Sequence, residues 1–112
     1  MHEYGVALEI VHMATERAEG RKITKVILSI GDLSGVFGDS LLMYCDLLFR
    51  DAQPSGEVLF SVKRVNAAFR CSCGETYTPA EIFDSCPACG GFDRTVIDGN
   101  QCIIESIEVD NE

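Results

Sequence analysis

Long apolar runs are missing from this 112-residue chain. No stretch approaches the roughly 20 apolar residues that a membrane-spanning helix requires, so we expect no membrane partner. The start of the chain also lacks the basic segment and the apolar run that characterise a secretory signal. We therefore expect a cytoplasmic protein.

Basic residues are scarce relative to acidic ones. Nine lysines and arginines stand against eighteen aspartates and glutamates, which gives a formal net charge of −9 at pH 7. Such a surface repels phosphate backbones, so we expect no nucleic-acid ligand. A basic protein partner or a metal cation fits this charge better, although an ordinary soluble surface would also account for it.

Catalytic motifs are absent as well. The sequence contains no phosphate loop of the form G-x-x-x-x-G-K-S/T, and nothing in it resembles a nucleophile with a positioned base. We therefore predict that the protein is not an enzyme, and we assign no catalytic residue and no residue that binds an organic cofactor.

The hydrophobic pattern predicts an α+β architecture. Apolar residues recur at helical spacing over residues 3–18, and again in a second helix that Asp39 or Ser40 could cap. Alternating patterns predict strands at residues 22–30, 57–70 and 102–109. We expect a small mixed sheet with two helices, a zinc-ribbon-like four-cysteine lobe, and a C-terminal strand that returns to the body.

The cysteine-rich segment predicts how the chain is divided. Residues 71–91 are rich in Cys, Gly and Pro and contain little that could form a core unaided. We expect residues 1–70 and 92–112 to form one α/β domain and residues 71–91 to form a small zinc-binding lobe.

Four of the six cysteines have the spacing of a zinc site. Cys71 and Cys73 form one close pair, and Cys86 and Cys89 form a second pair. Paired cysteines in a reducing compartment bind metal more often than they form disulfides. Tetrahedral zinc takes its ligands from two such turns, and it can organise a lobe too small to fold by hydrophobic burial. We predict a closed, structural zinc site.

Other interpretations of the cysteines remain open. The first pair is C-x-C, one residue shorter than the usual C-x-x-C, so we expect Ser72 to lie in a local turn. Cys86 and Cys89 could instead form a redox dithiol, iron could replace zinc, and disulfides could form outside the cell. Cys45 and Cys102 lie in apolar patterns, and we interpret them as packing residues.

The first three residues suggest a second metal site. Met1-His2-Glu3 places an imidazole beside the α-amine of Met1. The amine, the His2 amide nitrogen and the imidazole can chelate one divalent ion, with the Glu3 amide or a nearby side chain as the fourth donor. Nitrogen donors in a square plane favour Ni(II) or Cu(II). A solvated terminal histidine is the simpler alternative, and a packing or solvent-facing role is the default for His12.

Together these features resemble the HypA/HybF family, nickel metallochaperones that serve NiFe-hydrogenase maturation. The resemblance is carried by Met1-His2-Glu3, the helix after it, the segment Ile27-Leu28-Ser29-Ile30-Gly31-Asp32-Leu33-Ser34-Gly35-Val36, and the two cysteine pairs in order. It spans nearly the whole chain. The C-x-C pair departs from the C-x-x-C that is usual in the family.

The resemblance implies an α/β nickel-binding lobe joined to a zinc lobe. It implies that His2 and neighbouring backbone nitrogens bind nickel, that Met1 and Glu3 contribute to this site, and that Asp39 lies near it. Zinc would be the structural cofactor and nickel the transported ion.

The resemblance also implies partners. They are the GTPase HypB and the hydrogenase large-subunit precursor, with urease maturation proteins as a second destination. Two other functions stay open: a zinc-ribbon interaction module without a nickel role, and a Cys-x-x-Cys thiol-disulfide oxidoreductase.

Overall fold

The computed structural model describes residues 2–110, which fold around two separate three-stranded sheets. The elements are α1 (Glu3–Ala18), β1 (Lys22–Gly31), α2 (Gly38–Ala52), β2 (Leu59–Val65), β3 (Ala68–Cys71), β4 (Thr76–Tyr77), β5 (Arg94–Asp98) and β6 (Cys102–Asp110). The first sheet has the strand order β2-β1-β6, and the second has the order β4-β3-β5. The predicted α+β architecture is confirmed.

Strand β1 is the centre of the first sheet. It pairs in parallel with β2 and antiparallel with β6, so this sheet is mixed. A parallel neighbour requires a crossover connection, which α2 provides. Val26, Leu28 and Ile30 lie on the inward face of β1 and are fully buried. They join residues of both helices and of β6 in one core, whose other buried members are Ala7, Ile10, Ala14, Ala18, Ile23, Leu41, Cys45, Phe49, Val58 and Ile104.

The two helices differ in how well the sequence predicts their ends. Helix α1 has the predicted bounds, and the left-handed backbone at Glu19 and Gly20 ends it. Helix α2 begins at Gly38, and no side chain caps it, so the predicted cap at Asp39 or Ser40 is wrong. Asp39 lies instead in the first turn of α2, where a carboxylate interacts favourably with the helix dipole.

The single strand predicted over residues 57–70 is also wrong. The chain leaves the first sheet after Val65 and enters the second sheet at Ala68. Asp32 holds this break, because its backbone N–H donates to the Val65 carbonyl at 2.9 Å and its carboxylate accepts the Ala67 N–H at 3.3 Å.

The chain returns from the second sheet to the first at residues 99–101, and this crossing packs against the loop that begins at Gly31 and contains Asp32. The Leu33 N–H donates to the Gly99 carbonyl at 2.8 Å, and the Gly31 N–H donates to the Gln101 carbonyl at 2.7 Å. A Cβ atom on Gly31 would lie 2.1 Å from the Gly99 oxygen, and Gly99 itself has a φ of +91°. Glycine is therefore required on both sides of this contact.

The second sheet carries the cysteine pairs and includes strands outside residues 71–91. Its strands run from residue 68 to residue 98. The domain boundaries at 71 and 91 stay a prediction, but the chain changes sheets at 66–67 and 99–101. The radius of gyration is 17.4 Å, against about 13 Å for a compact domain of 100 residues, so the molecule is elongated.

Neither helix of the described chain combines the length and the apolar character needed to cross a bilayer.

Candidate metal centres

The first cysteine pair lies in a tight turn at the end of β3. The Cys71 carbonyl accepts the Gly74 N–H at 2.9 Å, and the Cys71 N–H donates to the Glu75 carbonyl at 2.8 Å. Gly74 has a φ of +100°, which a side chain would disfavour. The predicted local turn at Ser72 is confirmed, and it lets the C-x-C spacing bring both sulfurs together.

The second pair lies in a turn that is closed by backbone bonds. The Gly90 N–H donates to the Cys86 carbonyl at 2.8 Å, and the Cys86 N–H donates to the Gly91 carbonyl at 3.0 Å. The Gly91 N–H also donates to the Cys89 sulfur at 3.4 Å. This bond stabilises negative charge on that sulfur.

The four sulfurs converge on one point. The Sγ atoms of Cys71, Cys73, Cys86 and Cys89 all lie within 4.8 Å of one another. Two contacts join the turns, at 3.5 Å between Cys71 and Cys89 and 3.7 Å between Cys73 and Cys86. A tetrahedron with Zn–S bonds of about 2.3 Å has edges of about 3.8 Å, whereas a disulfide bond is about 2.05 Å long. The donor set and its spacing therefore fit one zinc ion.

The thiols of this cluster differ in acidity. A hydrogen bond from the Cys73 backbone N–H lowers the pKa of Cys71 to about 7. A backbone hydrogen bond at Glu75 lowers the pKa of Cys73, but desolvation and the neighbouring thiols raise it to about 12. Cys71 therefore forms a thiolate near neutral pH more readily than Cys73 does.

Arg94 holds the loop between the two cysteine pairs. Its guanidinium donates to the Asp84 carbonyl at 2.6 Å and to the Tyr77 hydroxyl at 3.0 Å, and it also donates to the Ile82 carbonyl. It lies 3.9 Å from the centroid of the Phe69 ring, a cation–π contact. Sequence reasoning missed this residue, because a lone arginine near a cysteine motif has no distinctive spacing.

The N-terminal donors lie in a different part of the fold. His2 is exposed and precedes α1, whereas Met1 lies outside the described residues. Glu3 is 4% exposed, and its carboxylate accepts the Phe37 N–H at 2.9 Å, which joins the starts of α1 and α2. Hydrogen bonds to this carboxylate, among them the one from Phe37, lower the pKa of Glu3 to about 2. Glu3 is therefore a carboxylate at neutral pH.

Within the part of the chain that the structure describes, His2 and Glu3 do not belong to a cluster of the cysteine type. Over residues 2–110, only the four cysteines form a group of three or more ligating side chains that lie close together. Asp39 is exposed in the first turn of α2, just after Phe37. A site built on backbone nitrogens would not require converging side chains.

The remaining cysteines and histidine lie apart from the sulfur cluster. Cys45 is fully buried in the first core, where burial and the Cys102 thiol raise its pKa to about 12. Cys102 packs against the same core. The interpretation of both as packing residues is confirmed. His12 is exposed, and its Nε2 lies 3.4 Å from a carboxylate oxygen of Glu16.

Comparison with known proteins shows similarity along the whole chain. The family model for HypA, described as "Hydrogenase/urease nickel incorporation, metallochaperone", matches residues 1–109. Hydrogenase maturation factor HypA of Geotalea uraniireducens is 39% identical over 111 residues, which cover 98% of this chain and 100% of that protein. The protein of the same name from one Dehalococcoides mccartyi strain is 40% identical over 116 residues, which cover 100% and 97%.

Two solved structures share the fold. The Ni metallochaperone HypA from Helicobacter pylori has a TM-score of 0.70 at 19% identity, with 97% of each chain covered. A second solution structure of a HypA protein has a TM-score of 0.71 at 21% identity, with 100% of this chain and 98% of that chain covered. At these identities the likeness supports the fold alone.

The sulfur cluster predicts about one zinc ion per chain in protein purified without a tag. Cys86→Ser should lose most of this zinc, because three thiolates leave the tetrahedron incomplete. Cys102→Ser, which changes a cysteine outside the cluster, should keep it. Elemental analysis by mass spectrometry measures both. Undiminished zinc in Cys86→Ser, or iron in the unmodified protein, would contradict the prediction.

Proposed function

Because this chain belongs to the HypA family of nickel-incorporation metallochaperones, we propose that it binds Ni(II) at its N-terminus and delivers the ion for assembly of the NiFe-hydrogenase active site. The observation that carries the proposal is the family match over residues 1–109, which includes the N-terminal Met1-His2-Glu3. No bond in a substrate is made or broken in this role, so the protein acts as a carrier and not as an enzyme.

The proposed nickel donors are the Met1 amine, the His2 amide nitrogen, the His2 imidazole and the Glu3 amide nitrogen. The position of His2 supports this set. His2 is exposed at the N-cap of α1, and the first backbone N–H groups of a helix have no acceptor within the helix. Binding through the His2 amide nitrogen therefore breaks no helical hydrogen bond.

The Glu3 side chain has a positioning role in this proposal. Its buried carboxylate is bonded to the Phe37 N–H, so it fixes the first turn of α1 against the start of α2. Asp39 follows within two residues of Phe37 and adds a second carboxylate near this point. The Arg64 guanidinium lies beside Gly38 at the same helix start, so the buried Glu3 carboxylate is the negative charge that this proposal places next to the nickel donors.

The proposed zinc ion has a structural role. Cys71, Cys73, Cys86 and Cys89 would supply all four ligands, which leaves no open coordination position for a substrate. Sulfur contacts of 3.5 and 3.7 Å join Cys89 to Cys71 and Cys86 to Cys73, so each cysteine of the second turn contacts one of the first. This arrangement supports a shared metal over a Cys-x-x-Cys redox pair.

The proposed partners act in the transfer of nickel from this chain. The chain has no phosphate loop, so energy for transfer would come from another protein, which we propose is the GTPase HypB. The receiving protein would be the hydrogenase large-subunit precursor, with urease maturation as a second destination. We place all of these steps in the cytoplasm.

Blocking the amino terminus tests the nickel site. Acetylation of the Met1 amine, or His2→Ala, should weaken Ni(II) binding at least tenfold, because each removes a nitrogen donor from the chelate. His12→Ala is the matched control and should leave the affinity unchanged. Isothermal titration measures the nickel affinity of the unmodified protein and of the three altered proteins, each zinc-loaded and untagged. Unchanged affinity in the acetylated protein and in His2→Ala would show that the proposed donors are wrong.

Two substitutions of Glu3 separate positioning from ligation. Glu3→Gln keeps an oxygen that can accept the Phe37 N–H, so nickel affinity should stay within about threefold of the unmodified protein. Glu3→Ala leaves that N–H without its acceptor, and the free energy of unfolding should fall by about 1–3 kcal/mol. Urea denaturation and nickel titration are run on both variants. A loss of nickel binding in Glu3→Gln without a loss of stability would make the carboxylate a ligand.

A further inference from the structure

Three exposed apolar side chains cluster beside the sulfur site. Ile82, Phe83 and Phe92 are 45%, 71% and 64% exposed. Arg94 joins them, because its guanidinium donates to the carbonyls of Ile82 and Asp84 on either side of Phe83 and lies 6.0 Å from the Phe92 ring centroid. We call the surface formed by Ile82, Phe83 and Phe92 the aromatic patch.

The aromatic patch is held in a fixed shape. The Asp84 N–H donates to the Glu81 carbonyl at 2.9 Å, and the Asp84 carboxylate accepts the Glu81 N–H at 3.0 Å. This closed turn places Ile82 and Phe83 at its tip, where glycine, asparagine, aspartate and serine are the favoured residues. The fold buries only a minor part of Phe83, which is 71% exposed, whereas a partner would meet a surface that is already ordered.

Acidic side chains border the aromatic patch. Glu81 and Asp84 flank its turn, and Asp93 follows Phe92. The basic residue at its centre, Arg94, is already engaged by two carbonyls and a hydroxyl. An apolar centre with a negative rim suits a partner that presents apolar side chains among lysines and arginines. A second copy of this chain would oppose rims of the same charge.

We propose that the aromatic patch docks the nickel-receiving precursor, through an apolar segment of the precursor that is flanked by lysines and arginines. This inference rests on the proposed function, because nickel delivery requires a protein that receives the ion. The patch belongs to the second sheet, whereas His2 precedes α1 beside the first sheet. A precursor docked here leaves the N-terminal donors uncovered for transfer.

The test measures binding of the purified hydrogenase large-subunit precursor to the full zinc-loaded chain by biolayer interferometry. The double variant Phe83→Ala/Phe92→Ala should bind at least tenfold more weakly, because truncated anchor residues carry most of the affinity at an interface. Leu59→Ala is the matched control. Leu59 is 59% exposed on β2 of the other sheet, and its truncation should change the affinity less than about twofold.

The acidic side chains that border the aromatic patch allow a second measurement, the rate of association. Glu81→Gln/Asp93→Asn should slow association with the precursor several-fold at low salt, and the association rate of this variant should depend less on ionic strength than that of the unmodified protein. Zinc content and nickel affinity should be unchanged in all three variants, because the substituted side chains are exposed.

The outcomes separate this inference from the proposed function. Equal precursor binding by the unmodified protein and Phe83→Ala/Phe92→Ala overturns the docking surface and leaves nickel delivery intact. Absence of precursor binding by the unmodified protein overturns it as well, while nickel titration still tests the N-terminal site independently. If sedimentation velocity shows a dimer that only the double variant converts to a monomer, and precursor binding persists, the patch is a self-interface and the inference is wrong.

Discussion

The convergence of four cysteine sulfurs within 4.8 Å is the constraint on which the second half of the fold depends. The strands around these sulfurs have only four, two and five residues, which is too few to bury a core of their own. Structural zinc supplies about 10–16 kcal/mol of apparent binding free energy at neutral pH, as much as the stability of a typical whole domain. In our account a bound cation therefore organises this sheet, and Arg94 then ties its connecting loop to the strands.

The two proposed metal sites suit opposite tasks. Four thiolates from two closed turns surround an ion completely and favour retention. A chain terminus with nitrogen donors is exposed on one side and favours exchange with a partner. The loop that begins at Gly31 lies between these regions, because it contacts both crossings between the sheets and leads to Phe37, which is bonded to Glu3. The segment that carried part of the family resemblance thus holds the junction of the fold.

The sequence predicted the parts of the fold that local pattern determines. The helix over residues 3–18 was correct because its apolar spacing is regular. The strand over residues 57–70 was wrong because Asp32, distant in sequence, holds the break within it. Strand β5 was missed because most of its residues are exposed and give no alternating signal. The cysteine pairs were found because tetrahedral coordination dictates their spacing, whereas the contacts of Arg94 depend on loop conformation that no short pattern encodes.

X-ray absorption at the zinc and nickel edges of one sample loaded with both metals tests the separation of the two sites most directly. Zinc should be surrounded by four sulfurs at about 2.3 Å, and nickel by nitrogen and oxygen without a sulfur neighbour. Nickel bound to sulfur, or a sample that retains no nickel, would contradict the account.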